Sequence, residues 1–315
     1  MQRIVTITLN PTVDVSIEVD TLIGGPKLRS PYAHYDPGGG GINVARGIRR
    51  FDGEVEAVYT AGGAVGELLR QLVEQEGVAQ RVVPIAQTTR ESFNVLETRS
   101  GQLYRFVLPG PALTAAEADR CLQAVAQTEP PAHYWVASGS LPPGVADDFY
   151  VELAQLAQRH KARLILDTSG PALRTAAQAG VYLIKPNQKE LGELIGRESS
   201  SEADWRSDCR QLVDSGSAEI VVLSLGADGA LLTSRNEQLR VAAPKVRVQS
   251  PVGAGDSFVA LLTLQLARGE ALATALDYAV AAGAAAAMTP ATELFRRQDV
   301  ERLYAQMSGP ERARD

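Results

Sequence analysis

HYWVASGSLPPGVADDFYVELAQLAQRHKARLILD, residues 133–167, decides the fold class. It opens on an apolar run (133–138), turns through Gly and Pro, spaces its apolar residues helically over 146–160, and closes on a second apolar run (163–167). Strands that are apolar throughout, instead of alternating, belong to a parallel sheet buried on both faces. The same rhythm extends outward in both directions. Further strands are expected at 3–9 (RIVTITL), 55–60 (VEAVYT), 181–185 (VYLIK) and 219–225 (EIVVLSL), with helices at 64–76 and 203–214. Strand and helix in alternation predict an α/β fold, a doubly wound, mostly parallel sheet flanked by helices.

Two stretches break the pattern. Val13, Val15, Ile17 and Val19 alternate with Asp14, Ser16 and Glu18, and residues 92–98 and 102–108 flank a Ser100-Gly101 turn. Alternation reads as antiparallel strands with one apolar and one polar face, joined in the second case as a hairpin. These are expected to form a small β-sheet lid over the ligand-binding edge, built from insertions at about 13–36 and 90–108 of a single domain spanning 1–315. No helix is assigned to cover the apolar face of so thin a sheet, which predicts a homodimer assembled through the β-lid. The polar tail after Met307 is expected to fray.

Composition narrows the function classes. The chain has 315 residues, 45% hydrophobic and 22% charged, which suits a globular fold and excludes disorder as the main state. A net charge of −6 argues against a nucleic-acid or membrane-surface partner, whose footprint would be basic. The longest apolar run, Ala279 to Met288, falls well short of the roughly 18 residues of a transmembrane helix. No signal peptide is visible at the N-terminus, and Cys121 and Cys209 stand alone without a CxxC or Cys/His cluster. A cytoplasmic protein in a reducing compartment is expected.

Four motifs carry chemistry. In SPVGAGDS (250–257) small residues open a helix whose N–H groups and dipole would face an anion, with Asp256 placed as a general base for a hydroxyl. Read locally, Asp256 is equally an ordinary first-turn helix residue. PGGGGINVARGIRR (37–50) runs four glycines into a helix that starts near Asn43, which suits close approach of a polar or phosphorylated ligand. It is neither a Walker A motif nor a dinucleotide fingerprint. IKPNQKE (184–190) sets Asn187 and Glu190 three apart, on one helix face where they would orient Mg²⁺ and its waters, or else form a capping box. VVLSLGADGALL (221–232) reads as strand, Gly-containing turn and strand, a nucleotide shelf or a plain hairpin. Arg90 and Arg105 lie in or beside the β-insertion, where either would fork onto a phosphate dianion.

Taken in order, GGGGINVAR (38–46), SGSLPPG (138–144), KPNQKE (185–190), SLG (224–226) and VGAGDS (252–257) resemble the PfkB family of ribokinase-like carbohydrate kinases, over about residues 1 to 307. TLNPTVD (8–14), TRESFNV (89–95) and YRFVLPGPAL (104–113) make the likeness strongest to members that phosphorylate fructose 6-phosphate. The resemblance implies a ribokinase-like fold and ATP-dependent transfer of the γ-phosphoryl group to the sugar's 1-hydroxyl, with Mg²⁺ as cofactor. It makes Asp256 the base and Gly253, Ala254 and Gly255 its anion hole. Asp14, Gly39, Asn43 and Ser140 would hold the sugar hydroxyls, while Lys27, Arg90 and Arg105 would face the sugar phosphate. Lys185, Asn187, Ser224, Gly226 and Gly229 would line the ATP phosphates, with Glu190 organising Mg²⁺. The adenine pocket falls around Val252, Val280 and Gly283. A monovalent cation, potassium in the family, would use backbone oxygens near Ser250, Val252, Ala286 and Thr289. A lid-to-lid homodimer is also implied.

Three departures bear on this. Family members acting on tagatose 6-phosphate or fructose 1-phosphate usually carry Lys where this chain has Gly40, which favours fructose 6-phosphate over those two alternatives. Leu261 stands where the family prefers a small residue. Thr289, Ala291 and Glu293 differ from the family's cation loop and leave potassium activation open. A catalytically silent sugar-phosphate sensor on the same fold would have no need of Asp256.

Overall fold

The apolar strands bury both faces, as their composition requires. In the computed structural model, which describes residues 1–290 and 292–308, β1 (Ile4–Thr8), β2 (Thr12–Val19) and β3 (Ala33–Gly38) precede α1 (Gly40–Arg50). There follow β4 (Val55–Ala61), α2 (Gly63–Gln75), β5 (Ala79–Pro84), β6 (Arg90–Glu97), β7 (Gln102–Val107) and α3 (Ala115–Ala126). The middle of the chain holds β8 (Tyr134–Ser138), α4 (Phe149–Arg159), β9 (Arg163–Asp167), α5 (Gly170–Ala179), β10 (Val181–Ile184), α6 (Gln188–Ile195) and α7 (Glu202–Asp214). Last come β11 (Ala218–Ser224), β12 (Ala230–Ser234), β13 (Gln238–Val241), α8 (Ala254–Arg268), α9 (Leu272–Ala287) and α10 (Arg297–Met307). Ala291 and the tail expected to fray beyond Ser308 lie outside the described residues.

Nine strands form the main sheet in the order β13-β12-β11-β10-β9-β8-β1-β4-β5. It is parallel from β5 to β11, and β12 and β13 add an antiparallel edge, so 221–232 is strand β11, a glycine-containing turn and strand β12, an antiparallel pair whose turn stays free to meet a ligand. Consecutive strand residues enter different cores. Ile4, Tyr134, Val136 and Leu183 pack with α1, α8, α9 and α10, while Val5, Trp135, Ala137 and Ile184 pack with α3, α4 and α5. Leu261 is fully buried in the first of these cores and is accommodated without exposure. No helix among the described residues is long and apolar enough to cross a membrane.

β1 lies between β4 and β8, so the chain builds the sheet outward in both directions from it. Such a switch point opens a crevice beyond the carboxyl ends of the strands. The residues that end β1, β8, β9, β10 and β11 are therefore the ones placed to meet ligands.

A second sheet, β3-β2-β6-β7, stands apart; β2–β3 and β6–β7 are antiparallel as expected, but β2 and β6 pair parallel, which alternation along a single strand does not disclose. Register sorts its faces as the alternation requires. Tyr35, Val15, Phe93 and Phe106 form one row across all four strands; Asp14 sits between Asp36 and Ser92 on the other face, where Asn94 opposes Arg105. The expectation that no helix covers the apolar face needs correction. α2 packs behind β2 and β3, and its Leu69 and Val73 share a core with Val13 and Val15. The spacing of α2 shows that it is amphipathic but not that it serves two sheets. Only the outer part of the row stays open, with Tyr35 44% and Phe106 48% exposed.

The glycine run at the start of α1 is a packing device. A Cβ on Gly41 would lie 2.5 Å from Thr8 Oγ1 and 2.6 Å from the Ile7 carbonyl oxygen, and one on Gly40 2.3 Å from Ser138 Oγ and 2.9 Å from the Gly139 nitrogen. Only bare backbone brings the helix start this close to β1 and β8. Gly41→Ala, favourable in an exposed helix by up to about 1 kcal/mol, should here destabilise by about 1–3 kcal/mol through overpacking. Urea unfolding checks it; an unchanged or higher midpoint would contradict the packing assignment.

Candidate active site

α8 begins at the open crevice. Gly253, in the left-handed region at φ 75°, caps it without a side-chain bond, which turns the chain sharply enough to present the next N–H groups outward. The N–H groups of Gly255 and Asp256 have no partner among the described residues, and Ala254 N reaches Pro251 O only at 3.5 Å. These are the orphan donors of a helix N-terminus, with the dipole adding positive potential. A methyl placed on Gly255 would sit 3.9 Å from Lys185 Nζ, so the ammonium faces the same opening. The arrangement suits an anion that carries several charges.

Asp256 stands in the first turn of this helix. Its Oδ2 accepts from Asn43 Nδ2 at 2.9 Å, and its Oδ1 is 3.5 Å from Ser138 Oγ. Burial, then the nearby Asp167 carboxylate, push its pKa up to about 7; the Asn43 and Ser138 hydrogen bonds and Lys185 oppose the rise. A carboxylate poised near neutrality is suited to taking a proton from a hydroxyl. Asp167, at the end of β9, is the neighbour that the sequence reading passed over as the last letter of a strand. It pairs with Lys185 Nζ at 3.0 Å and accepts from Ser138 Oγ at 3.4 Å. Burial works against the Lys185 charge, but Asp167, with Glu190 and Asp256, outweighs it and the ammonium titrates above its ordinary value.

Lys185, Ser224, Gly226, Gly229, Val280 and Gly283 line one cleft of about 640 Å³ together with Ala254 and Gly255. Phe258, Ala284, Ala287 and the segment Ala243–Val246, including Lys245, complete walls that the motifs did not disclose. Its lining is mostly apolar, which suits a flat base, and it includes Ala254 and Gly255 at the start of α8. Val252 and Asn187 do not line this cleft. Val252 is buried, and Asn187 forms an isolated parallel bridge with Ser224.

The polar face of the small sheet meets the glycine run that opens α1, the helix whose Asn43 bonds Asp256. A methyl on Gly38 would meet Asp14 Oδ2 at 2.3 Å, which places the carboxylate against the glycine run. Burial, then Asp36, raise the Asp14 pKa to about 6, opposed by Arg105, Arg46 and Arg90. Arg105 is exposed on β7. Arg90 donates to the carbonyls of Asn10 (3.0 Å), Leu108 (3.0 Å) and Pro11 (3.4 Å), stitching the sheet to the main body and leaving two of its five N–H groups for a ligand. Ser140 accepts from Asn10 Nδ2 at 3.1 Å, Gly39 caps α1, and Lys27 is exposed on the loop between β2 and β3.

The capping box of the Asn187–Glu190 pair is present. Asn187 Oδ1 accepts from Glu190 N at 2.9 Å, and Glu190 Oε2 accepts from Asn187 N at 2.8 Å. Glu190 Oε1 remains open, and burial raises the pKa of the carboxyl. Among the described residues no three or more His, Cys, Asp or Glu converge on a metal position. One free carboxylate oxygen beside an anion site fits Mg²⁺, which keeps its waters and leans on substrate phosphates. The proposed monovalent-cation oxygens fit less well. Ser250, Val252, Ala286 and Thr289 are all buried, but the Ala286 carbonyl already accepts from Thr289 N at 3.1 Å and from Thr289 Oγ1 at 2.8 Å.

The chain is 45% identical over 308 residues to the ATP-dependent 6-phosphofructokinase isozyme 2 of Mycobacterium tuberculosis H37Rv, covering 98% of this chain and 91% of that protein. It is 41% identical over 309 residues to the enzyme of the same description from Escherichia coli K12, covering 98% and 100%. The crystal structure of phosphofructokinase-2 from E. coli in complex with potassium superposes with a TM-score of 0.94 over 98% of this chain and 100% of that one, at 41% identity. Arabidopsis thaliana ribokinase, at 19% identity and a TM-score of 0.74 over 96% and 98%, shares the fold. The family model described as pfkB family carbohydrate kinase matches residues 1–295. A doubly wound sheet, an aspartate at an open helix start and these matches agree: the chain belongs to the PfkB family of carbohydrate kinases.

Proposed function

We propose that the chain transfers the γ-phosphoryl group of ATP to the 1-hydroxyl of fructose 6-phosphate, giving fructose 1,6-bisphosphate and ADP. The observation that carries this reading is Asp256, a carboxylate near neutral pKa at the start of α8, next to Gly255 of the long cleft and hydrogen-bonded to Asn43 on α1. Asp256 takes the proton of the 1-hydroxyl as its oxygen attacks the γ-phosphorus, and the bond to the β-phosphate oxygen breaks. The N–H groups of Gly255 and Asp256, with Ala254 and Gly253 shaping the turn, face the charge on the transferring group. Lys185 holds the nucleotide phosphates, supported by Ser224, Gly226 and Gly229, and the base sits in the cleft beside Val280 and Gly283. Bound with the nucleotide, Mg²⁺ would neutralise phosphate charge, its hydration shell held by Glu190 Oε1.

On the sugar side Asp14 and Asn43 bind hydroxyls, with Ser140 and Gly39 at the edge, and Arg105, the free groups of Arg90 and Lys27 face the 6-phosphate. Residues 1–315 act as one kinase domain with the small sheet as its lid, in the cytoplasm. Gly40 favours this sugar phosphate, because family members acting on tagatose 6-phosphate or fructose 1-phosphate usually carry lysine there. Fructose 6-phosphate should therefore exceed tagatose 6-phosphate and fructose 1-phosphate in kcat/KM by at least about tenfold, a margin that one well-placed contact supplies. A coupled ADP-release assay on the three sugars measures this, and a tenfold preference for tagatose 6-phosphate overturns the assignment. Arg105→Ala should raise KM for fructose 6-phosphate about ten- to a hundredfold and leave KM for ATP nearly unchanged.

Asp256→Asn should bind both substrates and lose about 10²–10⁴ of kcat; near-native turnover would remove its role as base. The same variant tests the electrostatics without turnover. Below about pH 4 both folded and unfolded wild-type chains keep the proton, but between about 4 and 7 only the folded chain does, so the wild type loses stability as pH rises through that window. Asp256→Asn should then gain stability relative to wild type from pH 4 to pH 7 and hold the gain above it. A pH-independent difference in melting would contradict the raised pKa.

The lid also supports a homodimer. Ile23, Leu28, Tyr32, Tyr35, Phe106, Val107 and Leu108 are exposed and all belong to the small sheet and its connections, and a second copy packed on the two-fold would cover them. Sedimentation equilibrium should give twice the chain mass of 33.6 kDa. A monomer with full activity would refute it.

A further inference from the structure

Arg46 is sealed in the interior, with its side chain 1% exposed, yet every arm of its guanidinium is engaged. Nε and Nη2 donate to Glu76 Oε1 at 2.9 and 2.6 Å, and Nη2 also reaches Asp36 Oδ1 at 3.1 Å. Nη1 donates to the Pro37 carbonyl at 3.0 Å and to Asn43 Oδ1 at 3.1 Å, with the Thr292 carbonyl at 3.4 Å. Asp36 is held in turn by Thr292 Oγ1 at 2.6 Å. We propose that Arg46 is a positioning residue for phosphoryl transfer: it locks the Asn43 amide in the one orientation that donates to Asp256.

The argument is one of donors and acceptors. An asparagine amide has an oxygen at one end and an NH₂ at the other, and packing alone barely distinguishes the two. Guanidinium only donates, so Arg46 demands the oxygen. The NH₂ then points at Asp256 Oδ2, 2.9 Å away. Turned over, the amide would set donor against donor at Arg46 and oxygen against carboxylate at Asp256. Arg46 and Asn43 are three residues apart on α1 and so share a face. Glu76, after α2, and Asp36, on β3, fix the guanidinium from two other elements.

This rests on Asp256 as the base. The charged groups near Asp256 are Asp167 and Lys185, with Asn43 and Ser138 as its hydrogen-bond partners; those near Arg46 are Asp36, Glu76, Arg50 and Asp14. The Asn43 bond holds the Asp256 pKa down, so freeing the amide should raise it. The test is the pH dependence of kcat/KM for fructose 6-phosphate in wild type, Arg46→Lys, Asn43→Ala and the double variant. Lysine keeps the charge and loses the fork. Arg46→Lys should lower kcat about tenfold, leave KM for ATP within about twofold, and move the acidic limb up by about half to one pH unit, as loss of one hydrogen bond implies. On the Asn43→Ala background the lysine should add no further shift, since the effect runs through Asn43. Ionisation of the sugar phosphate is common to all four profiles and cancels. Glu76→Gln, at a carboxylate 22% exposed, should move the limb the same way by less and serves if the lysine variant does not fold. A limb that stays in place while melting falls, or shifts that add in the double variant, overturns the proposal. Asp256→Asn is read separately, so an inactive Asp256 variant with an unmoved Arg46 limb removes the positioning role and leaves the base intact.

Discussion

The close approach of a glycine backbone to β1 and β8 is the constraint on which the rest of the molecule depends. Gly40 and Gly41 carry α1 into contact with the ends of the two central strands, where any side chain would intervene. That contact puts Asn43 within hydrogen-bond distance of Asp256 on α8, a helix more than two hundred residues later in the chain. It also fixes where β3, which runs directly into α1, ends, and so where the polar face of the small sheet lies. Four consecutive glycines lose much backbone entropy on folding. The loss is offset by the site that their closeness creates.

Charge is arranged around that contact as two separate problems. Asp14 and Asp256 are both raised, to about 6 and about 7, each by burial and then by a carboxylate neighbour. Their compensation differs. Asp14 has guanidinium groups around it from β6, β7 and α1, whereas Asp256 has one lysine and two hydrogen bonds. The first setting suits a group that stays ionised to hold a polyol. The second suits a group that gives up its charge once per turnover, and such a group necessarily weakens the fold at neutral pH.

Much of this was legible in the sequence because parallel strands announce themselves. Apolar runs such as 133–138 and 163–167 coincide closely with β8 and β9, and alternation in 13–19 and 92–108 identified the small sheet and its two faces. Asn43, Lys185 and Asp256 stood out because each follows or opens a glycine-rich or strand-ending motif. Asp167 did not, because one carboxylate at the end of an apolar run looks like the place where the strand meets water. Its meaning depends on β9 and β10 being neighbours, which is a property of strand order and not of local spacing. Arg46 was in view within GGGGINVAR and unreadable for a similar reason. An arginine in a helix is ordinarily on the surface, and only the convergence of β3, α2 and the turn at Thr292 reveals it as interior. The dual packing of α2 likewise follows from where the small sheet sits.

The parallel pairing of β2 with β6 has a consequence for how the chain is made. Asp14 finds Ser92, and Val19 finds Glu97, only across a stretch that contains α1, β4, α2 and β5. Closing so long a loop costs entropy before any ladder bond forms, so the small sheet cannot assemble from local contacts. During synthesis β2 and β3 emerge first and can pair as a hairpin, but the apolar side of that hairpin, with Val13, Val15 and Tyr35, then waits for α2 and β6 to leave the ribosome. For that interval a ribbon built to be covered from two directions is bare. The nascent chain is most prone to misassociation there, before the segment that completes the sheet has been translated.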